Sequence, residues 1–72
     1  MEPSPEFKHL HSGATSAFID GDYERAIDLV MQAIQINPEM FAAHSLLSEI
    51  FLAQGENDKA LAALFNGAHT RP

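Results

Sequence analysis

A shift of 34 residues lays the chain onto itself. Phe7 falls on Phe41, Leu10 on His44, Gly21 on Gly55, Arg25 on Lys59, Ala26 on Ala60, Ile27 on Leu61 and Pro38 on Pro72. These equivalences match bulky residues with bulky ones, base with base and chain breakers with chain breakers, so helix starts and stops stay in phase. A period of this length marks stacked supersecondary units whose apolar faces are buried by their neighbours. The units are residues 7–40 and 41–72, the second two residues short of a full period. With a linker at 1–4, they make one tandem domain over residues 5–72.

Each unit reads as two helices. Ser4 supplies a capping hydroxyl and Pro5 a first-turn proline whose missing N–H costs nothing, so a helix is expected over Pro5–Ile19. Phe7, Leu10, Ala14, Ala17 and Phe18 form one face of it. Gly21 can take the left-handed conformation that ends this helix, and Asp22 can cap the next, expected over Tyr23–Ile36. That second helix is amphipathic, with Ala26, Ile27, Val30, Ala33 and Ile34 opposite Asp28, Gln32 and Gln35. Pro38 disfavours helical geometry at Asn37 and suits the first turn of a third helix, Phe41–Ala53. Gln54-Gly55-Glu56 closes the third helix as Asp20-Gly21-Asp22 closes the first, and a fourth is expected over Asn57–His69.

The third helix, FAAHSLLSEIFLA, has too many apolar residues for one narrow stripe. Ala43, Leu46, Leu47, Ile50, Phe51 and Leu52 cover well over half of the helical circumference, whereas a surface helix needs only about a 100° face. It is therefore expected to pack on both the second and the fourth helix. On the fourth helix, Ala60, Ala63, Leu64 and Gly67 form the stripe toward the third. Leu61, Phe65 and Ala68 form another stripe that no further helix of these four covers. Burying a leucine or phenylalanine is worth ~1.5 to 3 kcal/mol. The chain is thus expected to be a segment of a longer array or to self-associate through Leu61, Phe65 and Ala68.

Seventy-two residues make a domain whose stability margin is narrow, and with no cysteine neither disulfides nor thiolate metal sites staple it. A net charge of −6 repels a phosphate backbone, so direct nucleic-acid binding is not expected. Membrane insertion is not expected either, since no apolar run approaches the roughly 20 residues needed to span a bilayer. The acidic, proline-bearing start MEPSPEF is unlike a signal peptide, and the expectation is a soluble intracellular protein.

A helix–turn–helix unit of this period, with a small residue early in its second helix and a proline at its end, resembles the tetratricopeptide repeat (TPR). The resemblance covers nearly the whole chain. Unit one carries it in Gly21-Asp22-Tyr23, Ala26, Ala33 and Pro38. Unit two carries it in Leu47, Phe51, Gly55, Ala60, Leu64 and Pro72, with Gly67 for the second small residue. Unit one departs from the pattern at Gly13, where leucine is usual, and at Ala17, where an aromatic is usual, as an atypical or terminal repeat would. The resemblance implies an all-α fold of four antiparallel helices in two hairpins, a segment of an α-solenoid, acting as a protein–protein interaction scaffold without cofactor.

A narrower resemblance lies in FIDGDYERAIDLVMQAIQINPE (18–39), AAHSLLSEIFLAQGENDKAL (42–61) and GAHTRP (67–72). These stretches look like the early repeats of the large TPR subunits of RNA polymerase III transcription factor IIIC. That likeness implies a nuclear scaffold whose partners are transcription-factor subunits. The competing expectation is a chaperone or trafficking adaptor that reads a peptide segment.

Candidate chemistry is sparse. His9 and His11, two apart, point about 200° from each other on a helix and cannot share a ligand, and no HExxH pattern supplies zinc ligands. His44 is expected to be a packed structural residue and His69 to sit at a helix C-terminus, favoured there by the dipole. Asp20, Asp22, Glu24 and Asp28 gather at a helix start, where acids are favoured, without the alternating ligand loop of an EF-hand. No catalytic constellation emerges, and an enzyme is not expected.

By the TPR resemblance, the partner groove is lined by Lys8, His11, Thr15, Phe18 and Ile19 of the first helix and by Ala42, Ser45, Glu49, Leu52 and Ala53 of the third. Only Lys8 carries a fixed positive charge there, and Glu49 repels a carboxylate. The expected ligand is therefore an apolar helix or extended segment rather than an acidic tail.

Overall fold

The computed structural model describes residues 4–69, with side chains through residue 65. Residues 1–3 of the expected linker, the side chains of Gly67, Ala68 and His69, and the terminal Pro72 lie outside the described residues. Four helices follow one another: α1 (Pro5–Ile19), α2 (Tyr23–Ile36), α3 (Phe41–Ala53) and α4 (Asn57–His69). All four have the expected bounds, and both ends of α1, the start of α2 and the end of α3 are set by local signals.

The Ser4 hydroxyl accepts from the Phe7 N–H at 3.1 Å, with Pro5 in the first turn. Gly21 (φ 82°) and Gly55 (φ 79°) end α1 and α3 by the same pair of hydrogen bonds. The Gly21 and Asp22 N–H groups donate to the Phe18 and Ala17 carbonyls at 3.0 and 2.9 Å. The Gly55 and Glu56 N–H groups donate to those of Leu52 and Phe51 at 3.0 and 2.8 Å. This is the Schellman arrangement, and it requires a left-handed residue that only glycine adopts without strain.

Pro38 departs from expectation. It does not enter α3 but takes the second position of a turn over residues 37–40, closed by the Met40 N–H on the Asn37 carbonyl at 3.1 Å. Proline's fixed φ suits that position, and α3 begins only at Phe41, with no side-chain cap. The Asn37 side chain lies at 3.4 Å from the Ser4 hydroxyl, so the end of α2 lies against the start of α1.

α1 packs on α2 and barely touches α3, while α3 packs on both α4 and α2. The core is Phe7, Ala14 and Ala17 of α1, Ala26, Val30 and Ala33 of α2, Ala43, Leu46, Leu47 and Ile50 of α3, and Ala63 of α4. α3 thus buries residues on two sides and joins the hairpins, as its apolar excess demands. The repeat equivalence separates the two sides. α1, with α2 as its main partner, buries Ala14 and Ala17; the same arc of α3 holds Ser48 and Phe51 and faces α4. The additional stripe Ala43, Leu46 and Ile50 is what α3 contributes toward α2.

Among the described members of the α4 stripe, Leu64 is the one that is not buried. It is 37% exposed, whereas its counterpart Val30 is fully buried.

Gly13 has no backbone reason to be glycine. It lies within helical α1, and a β-carbon there would meet only the Leu29 side chain, at an ordinary 3.4 Å. Gly13→Ala should therefore raise the unfolding free energy by about 0.5–1 kcal/mol. Gly21→Ala should lower it by about 1 kcal/mol, since its left-handed φ strains any β-carbon. Urea denaturation of the two variants against the parent checks both signs.

Candidate partner-binding surface

The ten groove residues read from sequence divide by how far the fold has already engaged them. On α1, Lys8 and Ile19 stand in solvent, Ile19 at 76% exposure, while His11, Thr15 and Phe18 are half-buried. The Thr15 hydroxyl donates to the His11 carbonyl one turn back, at 3.0 Å. The His11 ring stacks on Phe7 at 5.8 Å between centroids, and its Nε2 is shielded with no hydrogen-bond partner among the described residues. Phe18 leans on Tyr23 at 5.8 Å and packs against the core. On α3, Ala42, Glu49, Leu52 and Ala53 are exposed, Leu52 at 54%, and Ser45 is half-buried. Apart from half-buried Ser45 the α3 edge is therefore open, and α1 offers chiefly its two ends.

His44, expected from the sequence to be a packed structural residue, is buried in the fold. Its Nε2 lies 2.8 Å from the Pro38 carbonyl oxygen. A carbonyl can only accept, so the ring carries its proton on Nε2. The imidazole thereby ties α3 to the turn that precedes it, a bond that its counterpart Leu10 has no means of making.

The acidic residues around the first turn have equally local roles. The Asp22 carboxylate accepts from the Arg25 N–H at 3.4 Å and the Asp28 carboxylate from the Gln32 amide at 3.3 Å. Among the described residues no three of His, Cys, Asp and Glu gather closely enough to hold a metal ion. No described helix is long and apolar enough to cross a membrane.

One feature had no signal in the sequence. Among the described residues α2 and α4 do not pack on each other, and between them, over α3, lies an open apolar depression of about 280 Å³. Met31, Leu47, Phe51, Ala62 and Ala63 line it, with Lys59 at its rim. Lys59 stands 5.9 Å from the centroid of the Phe51 ring and 3.5 Å from the Glu56 carboxylate. That ion pair is largely solvated and holds little energy. The depression lies where α2 and α4 do not meet over α3, a tertiary fact that no local pattern encodes.

A family model described as the tetratricopeptide repeat matches residues 17–72. The chain belongs to that family. The match takes in the end of α1 and everything after it, leaving outside the part of α1 where Gly13 departs from the TPR pattern. No curated protein and no solved structure matches the chain. TPR units are as a class non-catalytic modules that bind protein partners, and in this one the edge of α3 is the part of the first-helix surface least engaged by the fold itself.

His44→Leu should lower stability by about 0.5–1.5 kcal/mol through loss of the bond to the Pro38 carbonyl. Thermal and urea unfolding of the variant measure the change, and an unchanged stability would show that leucine packing serves equally well there.

Proposed function

We propose that this TPR module holds an apolar helical or extended segment of a partner protein against the first-helix edge formed by Ile19, Ala42, Leu52 and Ala53. The observation that carries the reading is the exposure of Leu52, more than half open on a helix that otherwise buries its large aliphatic residues. Glu49, exposed one turn before Ala53, disfavours a ligand that presents a carboxylate there, and Lys8 is the single fixed cation among the ten groove residues.

The stretches at 18–39, 42–61 and 67–72 that look like factor IIIC repeats direct the choice of partner. The partner would be a subunit of the RNA polymerase III initiation machinery, and the module a nuclear scaffold segment. The alternative is an adaptor that reads the acidic C-terminal tail of a chaperone or trafficking partner.

Fluorescence anisotropy with two labelled peptides separates the readings. An apolar amphipathic peptide should bind, and Leu52→Asp should weaken it by about tenfold, the scale of one lost apolar contact. Glu49→Lys should leave that binding nearly unchanged. Binding of an acidic C-terminal peptide instead, abolished when its carboxylate is amidated and strengthened by Glu49→Lys, would establish the adaptor. Retention or loss of transcription-factor subunits on the Leu52→Asp variant in nuclear extract then tests the narrower assignment.

A further inference from the structure

The apolar end of the α1 and α3 edge is bracketed by carboxylates. Glu49 precedes Leu52 by three residues on α3, close enough on a helix for the two to be neighbours. Asp20 follows Ile19 directly, where α1 ends. Both acids are exposed, and among the described residues neither carboxylate has a hydrogen-bonded or ion-paired partner. Ile19 and Ala53 are the last residues of their helices, so the negative ends of two helix dipoles lie at this end as well.

The turns beyond have the same sign. Residues 20–25 hold Asp20, Asp22 and Glu24 against Arg25, and the equivalent residues 54–59 hold Glu56 and Asp58 against Lys59. Neither base offsets the bracketing acids: Lys59 is engaged with Glu56 at 3.5 Å, and Arg25 is outnumbered within its own segment. Lys8, the fixed cation of the edge itself, lies eleven residues before Ile19 on α1, about 16 Å along the helix axis. That is well beyond the Debye length of about 8 Å at physiological salt.

We propose that the partner segment held at this edge is basic: an apolar residue seated on Ile19, Leu52 and Ala53, with a lysine or arginine close on either side to meet Asp20 and Glu49. The inference rests on the edge proposed above and adds the sign of its occupant. A neutral segment covering this end would strip water from two unpaired carboxylates, a cost that a facing ammonium or guanidinium offsets. An acidic segment would add repulsion to that cost. The net charge of −6 draws a basic segment in from a distance, and Lys8 turns its basic part toward the C-terminal ends of α1 and α3.

Three labelled peptides that share one apolar stripe and carry lysine, glutamine or glutamate on either side of its central leucine test this by fluorescence anisotropy. The glutamine peptide is the uncharged reference, on which Glu49 has little hold. The lysine peptide should bind about fivefold tighter than it at low salt, the glutamate peptide more weakly than either, and added salt should close the gap. Asp20→Asn with Glu49→Gln should bring the lysine and glutamine peptides within about twofold of each other. Asp28→Asn with Glu39→Gln, the same change in net charge made elsewhere, should keep the preference. Leu52→Ser should weaken all three peptides, which marks the edge as their site, and every variant should keep the helical circular dichroism of the parent. If no peptide binds, or Leu52→Ser changes nothing, the edge and its occupant both fall. If Leu52→Ser weakens binding but the lysine and glutamine peptides bind equally, or the preference survives the loss of Asp20 and Glu49, the edge stands and the basic occupant is overturned.

Discussion

A thirteen-residue helix that buries six of its residues around more than half its circumference must be covered from two directions. α3 is that helix, and the rest of the molecule follows from it. Its Ser48 and Phe51 arc turns to α4, giving the second hairpin; its Ala43, Leu46 and Ile50 stripe turns to α2, joining that hairpin to the first. Without the second stripe the chain would be two helix pairs, each with the marginal stability of a unit that cannot enclose its own apolar face. The edge left over, with Ala42, Glu49, Leu52 and Ala53 in solvent, is the one on which the proposed partner contact rests.

Small residues let this packing happen. Ala14, Ala26, Ala33, Ala43 and Ala60 are 2% exposed or less. They contribute little apolar area each, but they allow neighbouring helices to approach closely enough for Val30 and Ile50, the largest fully buried side chains, to be enclosed. The polar groups follow a complementary rule. The His44 imidazole meets the Pro38 carbonyl at the break between α2 and α3, and the Ser4 hydroxyl meets the Phe7 N–H at the start of α1.

Much of this was legible in the chain, for identifiable reasons. Helix ends are dictated by Ser4-Pro5, Gly21-Asp22 and Gly55-Glu56, whose effects are local and need no tertiary context. The two-sided burial of α3 follows from its composition alone. Pro38 was misplaced because a proline suits both a helix first turn and the second position of a β-turn, and only the bond from Met40 to Asn37 separates the two. The sequence assigned Leu64 to the packed stripe because its helical phase is right, but phase alone does not fix how far a side chain is buried, and Leu64 is 37% exposed. The depression over Leu47 and Phe51 depends on α2 and α4 not packing on each other. The residues read as groove lie on α1 and α3, yet the sequence could not foresee that Phe18 would be shared with the core or that the Thr15 hydroxyl would be taken up by its own helix.

The account makes α3 the element on which both hairpins depend, and native-state hydrogen exchange tests that most directly. The amides of Leu46, Leu47 and Ile50 should be the slowest in the chain and should exchange only through global unfolding, while α1 and α4 open at lower free energy. Slower exchange in α1 and α2 than in α3, or two hairpins that open with separate denaturant dependences, would contradict it.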